Sequence, residues 1–156
     1  SRYLGINIMD PNLESIFNYV QLSDRLATAG QPTEQQYPAI RAAGYSVVIN
    51  LALPNSANAL PDEAAIAQSL GLEYIAIPVI WENPTLEDFD RFVEVMQAHT
   101  AQPIFVHCAA NMRVSAFMYL YRRLYEGMSD QQAQIDLHKI WRPNETWQAF
   151  MKQVVD

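Results

Sequence analysis

A chain of 156 residues, half of them apolar and 17% charged, is long enough to bury a hydrophobic core and too apolar to be a disordered segment. Its formal charge of −7, with no cluster of Lys or Arg, argues against nucleic acid or an anionic membrane surface as a partner. A single cysteine excludes an intramolecular disulfide, and no apolar run reaches the roughly 18–20 residues of a membrane-crossing helix.

The lone cysteine suits a reducing compartment and hence a cytoplasmic protein. Ser1 in first position leaves room for a removed upstream signal, in which case the periplasm suits a disulfide-free domain equally. The histidines, His99, His107 and His138, show no metal-ligand spacing with one another or with Cys108, so neither structural zinc nor another cofactor is expected. Without repeats or a Gly/Ser/Pro-rich linker, residues 1–156 read as one domain.

In chain order, Arg25–Thr28 reads as an edge strand. Thr33 with Gln36 fits a capping box, and Gly44 ends a helix over about 33–43. The run 46–51 (SVVINL) is a buried strand by its β-branched content. A loop with Pro54, Asn55, Ser56 and Asn58 leads to Pro61-Asp62-Glu63, the first turn of a helix that stops at Gly71. Residues 74–80 form the next strand, followed by the loop Trp81-Glu82-Asn83-Pro84. Thr85 with Asp88 opens a helix over about 85–99. Residues 103–107 are a strand that runs through Cys108 into a helix reaching Gly127. Ser129 with Gln132 forms another capping box, for a helix near 130–140, and Asn144 caps the last one. This alternation predicts an α/β fold of three layers, a mostly parallel sheet of four to five strands with helices on both faces. Ligands of such sheets bind beyond the carboxyl ends of the strands, which gathers the loops 52–61, 81–84 and 108–113 on one rim.

The stretch from Pro103 to Ser115 (PIFVHCAANMRVS) carries the most chemistry. A buried strand delivers Cys108 to its carboxyl end, and a helix begins within a few residues. The unpaired N–H groups and dipole of a helix start stabilise both a thiolate and a bound oxyanion, as does a nearby arginine. A nucleophile and an anion cradle therefore coincide in an otherwise acidic protein.

Val106-His107-Cys108 with Arg113 and Ser115 resembles the phosphate loop of cysteine-dependent phosphatases, His-Cys, five residues, Arg, then Ser or Thr. Ala29-Gly30-Gln31-Pro32, Val48-Ile49-Asn50-Leu51 and Ile77-Pro78-Val79 extend the resemblance, over roughly residues 20–150, to a bacterial protein-tyrosine-phosphatase-like family related to the dual-specificity enzymes. The resemblance implies a flat parallel sheet and a phosphocysteine intermediate, with phosphomonoesters as substrates, phosphotyrosine among them, on a small molecule or a phosphoprotein. Two departures stand out. Asn111 replaces the usual loop glycine, and only four residues separate Cys108 from Arg113, so the family's arginine position falls on Val114. One residue at a helix start turns a side chain by about 100°.

By this resemblance the backbone of Cys108, Ala109, Ala110, Asn111, Met112 and Arg113 binds phosphate. Cys108 attacks, Arg113 clamps two oxygens, His107 bonds within the loop, and Ser115 steadies the leaving thiolate. The general acid is usually an aspartate from the loop after the preceding strand, which here offers Glu82. Asp88 is the second candidate, equally explained as a cap, and Asp62 is explained by the helix dipole. Trp141 and Trp147 read as packing residues, and Tyr119, Tyr121 and Tyr125 as core or rim. A Cys-x4-Arg loop is also similar to that of rhodanese-like sulfurtransferases, which would place a persulfide on Cys108. A third reading is a catalytically inactive relic that binds phosphate or a partner.

Overall fold

The computed structural model describes residues 12–156; the first part of the single-domain expectation lies outside the described residues. Strands β1 (Val20–Ser23), β2 (Leu26–Ala29), β3 (Val47–Asn50), β4 (Glu73–Ala76) and β5 (Ile104–His107) form one sheet in the order β1-β2-β5-β3-β4. Only β1 runs antiparallel to its neighbour. The sheet is thus mostly parallel, as expected, with one antiparallel edge. The strand expected at Arg25–Thr28 is internal and not an edge: as β2 it pairs with β5 on one side and β1 on the other. Sequence alone could not show the hairpin partner Val20–Ser23, whose half-exposed pattern is weak.

β3 and β5 are buried at every position, as strands covered on both faces should be. Their side chains alternate between two cores. Val47, Ile49, Ile104, Val106 and Cys108 pack with Phe92, Phe117 and Trp147, under helices α3 (Leu86–Ala98), α4 (Met112–Tyr125) and α6 (Glu145–Val155). Val48 and Phe105 face the other way, against Tyr37, Ile40 and Ala67 of helices α1 (Tyr37–Ala42) and α2 (Glu63–Ser69). Helix α5 (Asp130–Ile140) lies along α4, joined by an ion pair from Arg122 to Asp136 at 2.7 Å.

Two expected elements are shorter than read from the sequence. The helix over 33–43 is a 3-10 turn at Glu34–Gln36 followed by α1, because Pro38 lacks the N–H that an α-helical bond to residue 34 requires. The strand over 74–80 stops at Ala76. Beyond it Ile77 and Val79 still donate to Asn50 and Leu51, each at 2.9 Å, but Pro78 has no donor. The capping boxes at Thr33/Gln36 and Thr85/Asp88 are both formed, and Asn144 caps α6 through the Trp147 N–H. The box expected at Ser129/Gln132 is half formed: Ser129 accepts from the Gln132 N–H, and the Gln132 side chain gives no bond back. Gly44, at φ +100° just past α1, takes the left-handed conformation that ends a helix cheaply.

Candidate active site

β5 is the middle strand, so Cys108 follows it at the centre of the sheet's carboxyl edge, itself buried at 1% exposure. Its N–H donates to Ala29 at 3.3 Å, and the carbonyl beyond it, Ala109, accepts from the Gln31 N–H at 3.0 Å. The Ala110 carbonyl accepts from Asn18 Nδ2 at 3.0 Å. The loop carbonyls therefore turn outward onto the 18 and 29–31 segments. Gly30 is required at this crossing: a Cβ there would lie 2.7 Å from the Ala109 oxygen and 2.8 Å from the Phe17 ring.

Asn111 adopts φ +64°, the left-handed conformation expected of it, and precedes α4 without capping it. Its Nδ2 donates instead to the Asn18 carbonyl at 2.9 Å and to Thr28 Oγ1 at 3.0 Å. The first bond of α4 runs from the Ser115 N–H to the Asn111 carbonyl. The N–H groups of Met112, Arg113 and Val114 thus find no acceptor within the helix. They sit at its positive end, four to six residues after Cys108, and are the donors a phosphoryl group needs.

His107 is fully buried and faces the opposite core from Cys108. Its Nε2 lies 2.6 Å from Glu63 Oε2 and its Nδ1 3.2 Å from the Cys108 carbonyl. Glu63, 4% exposed, also accepts from Gln31 Nε2 at 3.1 Å and from the Tyr37 hydroxyl. Burial alone would push the Glu63 carboxyl up. The bond and charge of His107, with the bonds from Tyr37 and Gln31, outweigh it and hold the carboxyl below its ordinary range. Burial, with the Glu63 charge beside it, raises the Tyr37 phenol well above its usual range, so the hydroxyl stays a donor. Sequence reasoning missed Glu63, Tyr37, Gln31 and Asn18 as site residues. Glu63 had been explained by its helix start, and no spacing links it to a histidine 44 residues away.

Val114 is wholly buried in the core, whereas the Arg113 side chain reaches the rim and donates from Nη1 to the Val79 carbonyl at 2.9 Å. The arginine one place early in sequence is thus the one that reaches the segment after β4, and its remaining donors are not used in that bond. Ser115 Oγ donates to the Met112 carbonyl at 3.0 Å and accepts from Trp141 Nε1 at 3.1 Å.

Glu82 is exposed in a tight turn closed by the Asn83 N–H on the Ile80 carbonyl. That turn is fastened by Trp147 Nε1, which donates to the Trp81 carbonyl at 2.9 Å. Trp81 packs on Trp141 and Trp147 at ring separations of 5.2 and 5.9 Å. The packing role expected of the two tryptophans holds, and their N–H groups also bond, that of Trp147 tying the Glu82 turn to α6 and that of Trp141 reaching Ser115 of α4. Asp88 spends its carboxylate on the Thr85 N–H, and Asp62 is exposed without capping α2.

Beside the loop, Ala109, Gln31, Pro32, Asn58, Leu60 and the exposed Phe17 ring line an open cleft of about 540 Å³. That size admits a small organic ligand. Among the described residues no group of three or more His, Cys, Asp or Glu is placed to hold a metal ion, and no helix is long and apolar enough to cross a membrane.

Comparison with known proteins places the chain in a family. The model of the family of DSP-PTPase phosphatases fused to NAD+ kinase matches residues 14–153. A beta-lactamase hydrolase-like protein of Agrobacterium fabrum is 31% identical over 98 residues, and one of Xylella fastidiosa 30% identical over 111. These matches take in 60% and 69% of this chain but 22% and 25% of those proteins, so the chain spans about a quarter of the length of these curated relatives. A DUF442 protein of Shewanella putrefaciens superposes with a TM-score of 0.82 at 36% identity, over 92% of this chain and 94% of that one. P. aeruginosa TpbA, in complex with phosphotyrosine, superposes with a TM-score of 0.69 at 16% identity over 87% and 83% of the two chains, and so shares the fold.

Proposed function

This chain belongs to the family of DSP-PTPase phosphatases fused to NAD+ kinase, and on that footing we propose that it hydrolyses phosphomonoesters through a phosphocysteine on Cys108. The observation that carries the reading is the uncapped start of α4 directly behind Cys108, with the loop carbonyls turned away from it.

In the first step the Cys108 thiolate attacks phosphorus, the bond to the leaving oxygen breaks, and Glu82 gives that oxygen a proton. The N–H groups at the start of α4 and the free donors of Arg113 hold the non-bridging oxygens as charge moves onto them. In the second step water attacks the phosphocysteine, its proton returns to Glu82, and the S–P bond breaks to release inorganic phosphate. Ser115 would steady the departing thiolate by turning its hydroxyl away from the Met112 carbonyl, and Trp141 keeps it at the loop. The substrate body rests in the cleft beside Ala109, where Phe17 and Leu60 offer apolar walls to an aryl group such as that of phosphotyrosine.

The test is hydrolysis of p-nitrophenyl phosphate by wild type and Cys108→Ser across pH 5 to 8. Turnover that vanishes with the cysteine, by more than about a thousandfold, is the expected result. A Cys108→Ser variant as active as wild type, or a wild type inert over the whole range, would overturn the reading. In the second case, mass spectrometry after thiosulfate treatment distinguishes a Cys108 persulfide from a binding-only protein.

A further inference from the structure

We infer that Glu63 is a positioning residue: it keeps both ring nitrogens of His107 protonated, so that a buried imidazolium pins the first peptide of the nucleophile loop. The effect on turnover rests on the phosphatase reading; the state of the ring does not.

The hydrogen-bond geometry assigns the protons. A carbonyl can only accept, so the contact of Nδ1 with the Cys108 oxygen at 3.2 Å requires a proton on Nδ1. Nε2 faces Glu63 Oε2 at 2.6 Å. The same carboxyl group receives Gln31 Nε2 on Oε1 and the Tyr37 hydroxyl on Oε2. With three donors converging on it, the carboxylate form is the one this pocket satisfies, and the shared proton belongs to Nε2. Both partners are almost completely buried, and neither charge would persist there without the other.

The alternation of β5 makes this arrangement possible. Cys108 points into the α4 core, so His107 one residue earlier points between α1 and α2, where Tyr37 and Glu63 stand. The groups around the pair are Tyr37 from α1, Gln31 from the segment after β2, Tyr74 from β4, whose phenol feels the Glu63 charge, and Cys108 itself. Pinning the Cys108 carbonyl toward His107 turns the Ala109 N–H of the same planar peptide the opposite way, into the loop.

Glutamine at position 63 keeps the shape but removes the charge. A neutral His107 has one N–H, so with Nδ1 on the Cys108 carbonyl its Nε2 is bare and can only accept from the glutamine amide at position 63. The experiment is nitrogen-15 NMR of the three histidines in wild type and Glu63→Gln at pH 7.5, with kcat/KM for p-nitrophenyl phosphate hydrolysis alongside. Wild-type His107 should show two protonated ring nitrogens, and the Glu63→Gln ring one bare nitrogen. kcat/KM should fall by about tenfold in Glu63→Gln. A bare nitrogen in wild-type His107 overturns the inference and needs no variant to be seen. A doubly protonated ring in Glu63→Gln overturns it as well. A doubly protonated wild-type ring in a protein that hydrolyses nothing would uphold the ring assignment and sink the phosphatase reading instead.

Discussion

Helix α3 and helix α4 both begin on the rim where the parallel strands end, yet they start in opposite ways. α3 is closed by its own residues: Thr85 accepts the Asp88 N–H at 3.0 Å, and Asp88 answers on the Thr85 N–H at 3.1 Å. α4 has no side-chain cap, and Asn111 before it bonds instead to Asn18 and Thr28. α2 resembles α4 in this respect, since Asp62 caps nothing and Glu63 turns to His107. A capped start has satisfied its orphan donors internally, whereas an uncapped one beside a nucleophile keeps them for a ligand. Asp88 therefore belongs to stability, and under the proposed function the start of α4 belongs to chemistry.

The comparison can be broken most severely at α2. Glu63→Gln should cost roughly 3 kcal/mol at pH 7, as removing one member of a buried pair does. The folded carboxyl is held below its ordinary value, so its stabilisation is fully present above the unfolded value of 4.5 and is lost as pH falls through the folded one. Urea unfolding at pH 7 and pH 3 should show the wild-type advantage over Glu63→Gln shrinking in acid; an advantage equal at both would remove the ionised pair from the account.

Next in size is the contrast between the two acids of the rim. Glu82→Gln should slow hydrolysis of a poor leaving group such as phenyl phosphate by about a hundredfold, and p-nitrophenyl phosphate far less. Asp88→Asn should leave both rates unchanged, and the opposite ranking would exchange their roles.

At Asn111 the backbone conformation can be separated from the side-chain bonds, because glycine and alanine both lose those bonds. Asn111→Ala should be about 1 kcal/mol less stable than Asn111→Gly, since only alanine is strained at φ +64°. Equal melting midpoints for the two variants would show that the loop relaxes out of that conformation.

The smallest effect is expected where the helix is self-sufficient. Thr85→Ala should lose about 1 kcal/mol of stability with unchanged kcat and KM for p-nitrophenyl phosphate. A large loss of turnover would show that the α3 start also positions the Glu82 turn.

The site was legible in the sequence wherever its logic is local. The strand, cysteine and helix of residues 103–125 follow from composition, as do the capping boxes at Thr33 and Thr85, whose partners stand three residues apart. The left-handed Asn111 was expected only through the resemblance, whose loop has a glycine there, and Asn is the non-glycine residue that best tolerates that conformation. The shift of Arg113 could only be posed as a question, since helical rotation alone does not say which neighbour faces the core. Val114 fills it and Arg113 takes the Val79 carbonyl.

By itself the sequence determined the alternating strands and helices, the rim on which Cys108 stands and the donors waiting behind it, because each depends on residues within one turn or one strand. Only the tertiary structure decided that β2 is internal, that Asn18 and Gly30 receive the outside of the loop, and that His107 meets Glu63. The β1–β2 hairpin aside, those contacts join segments 44 to 93 residues apart. They are brought together by the order of strands in the sheet and by burial on both its faces, which no local spacing records.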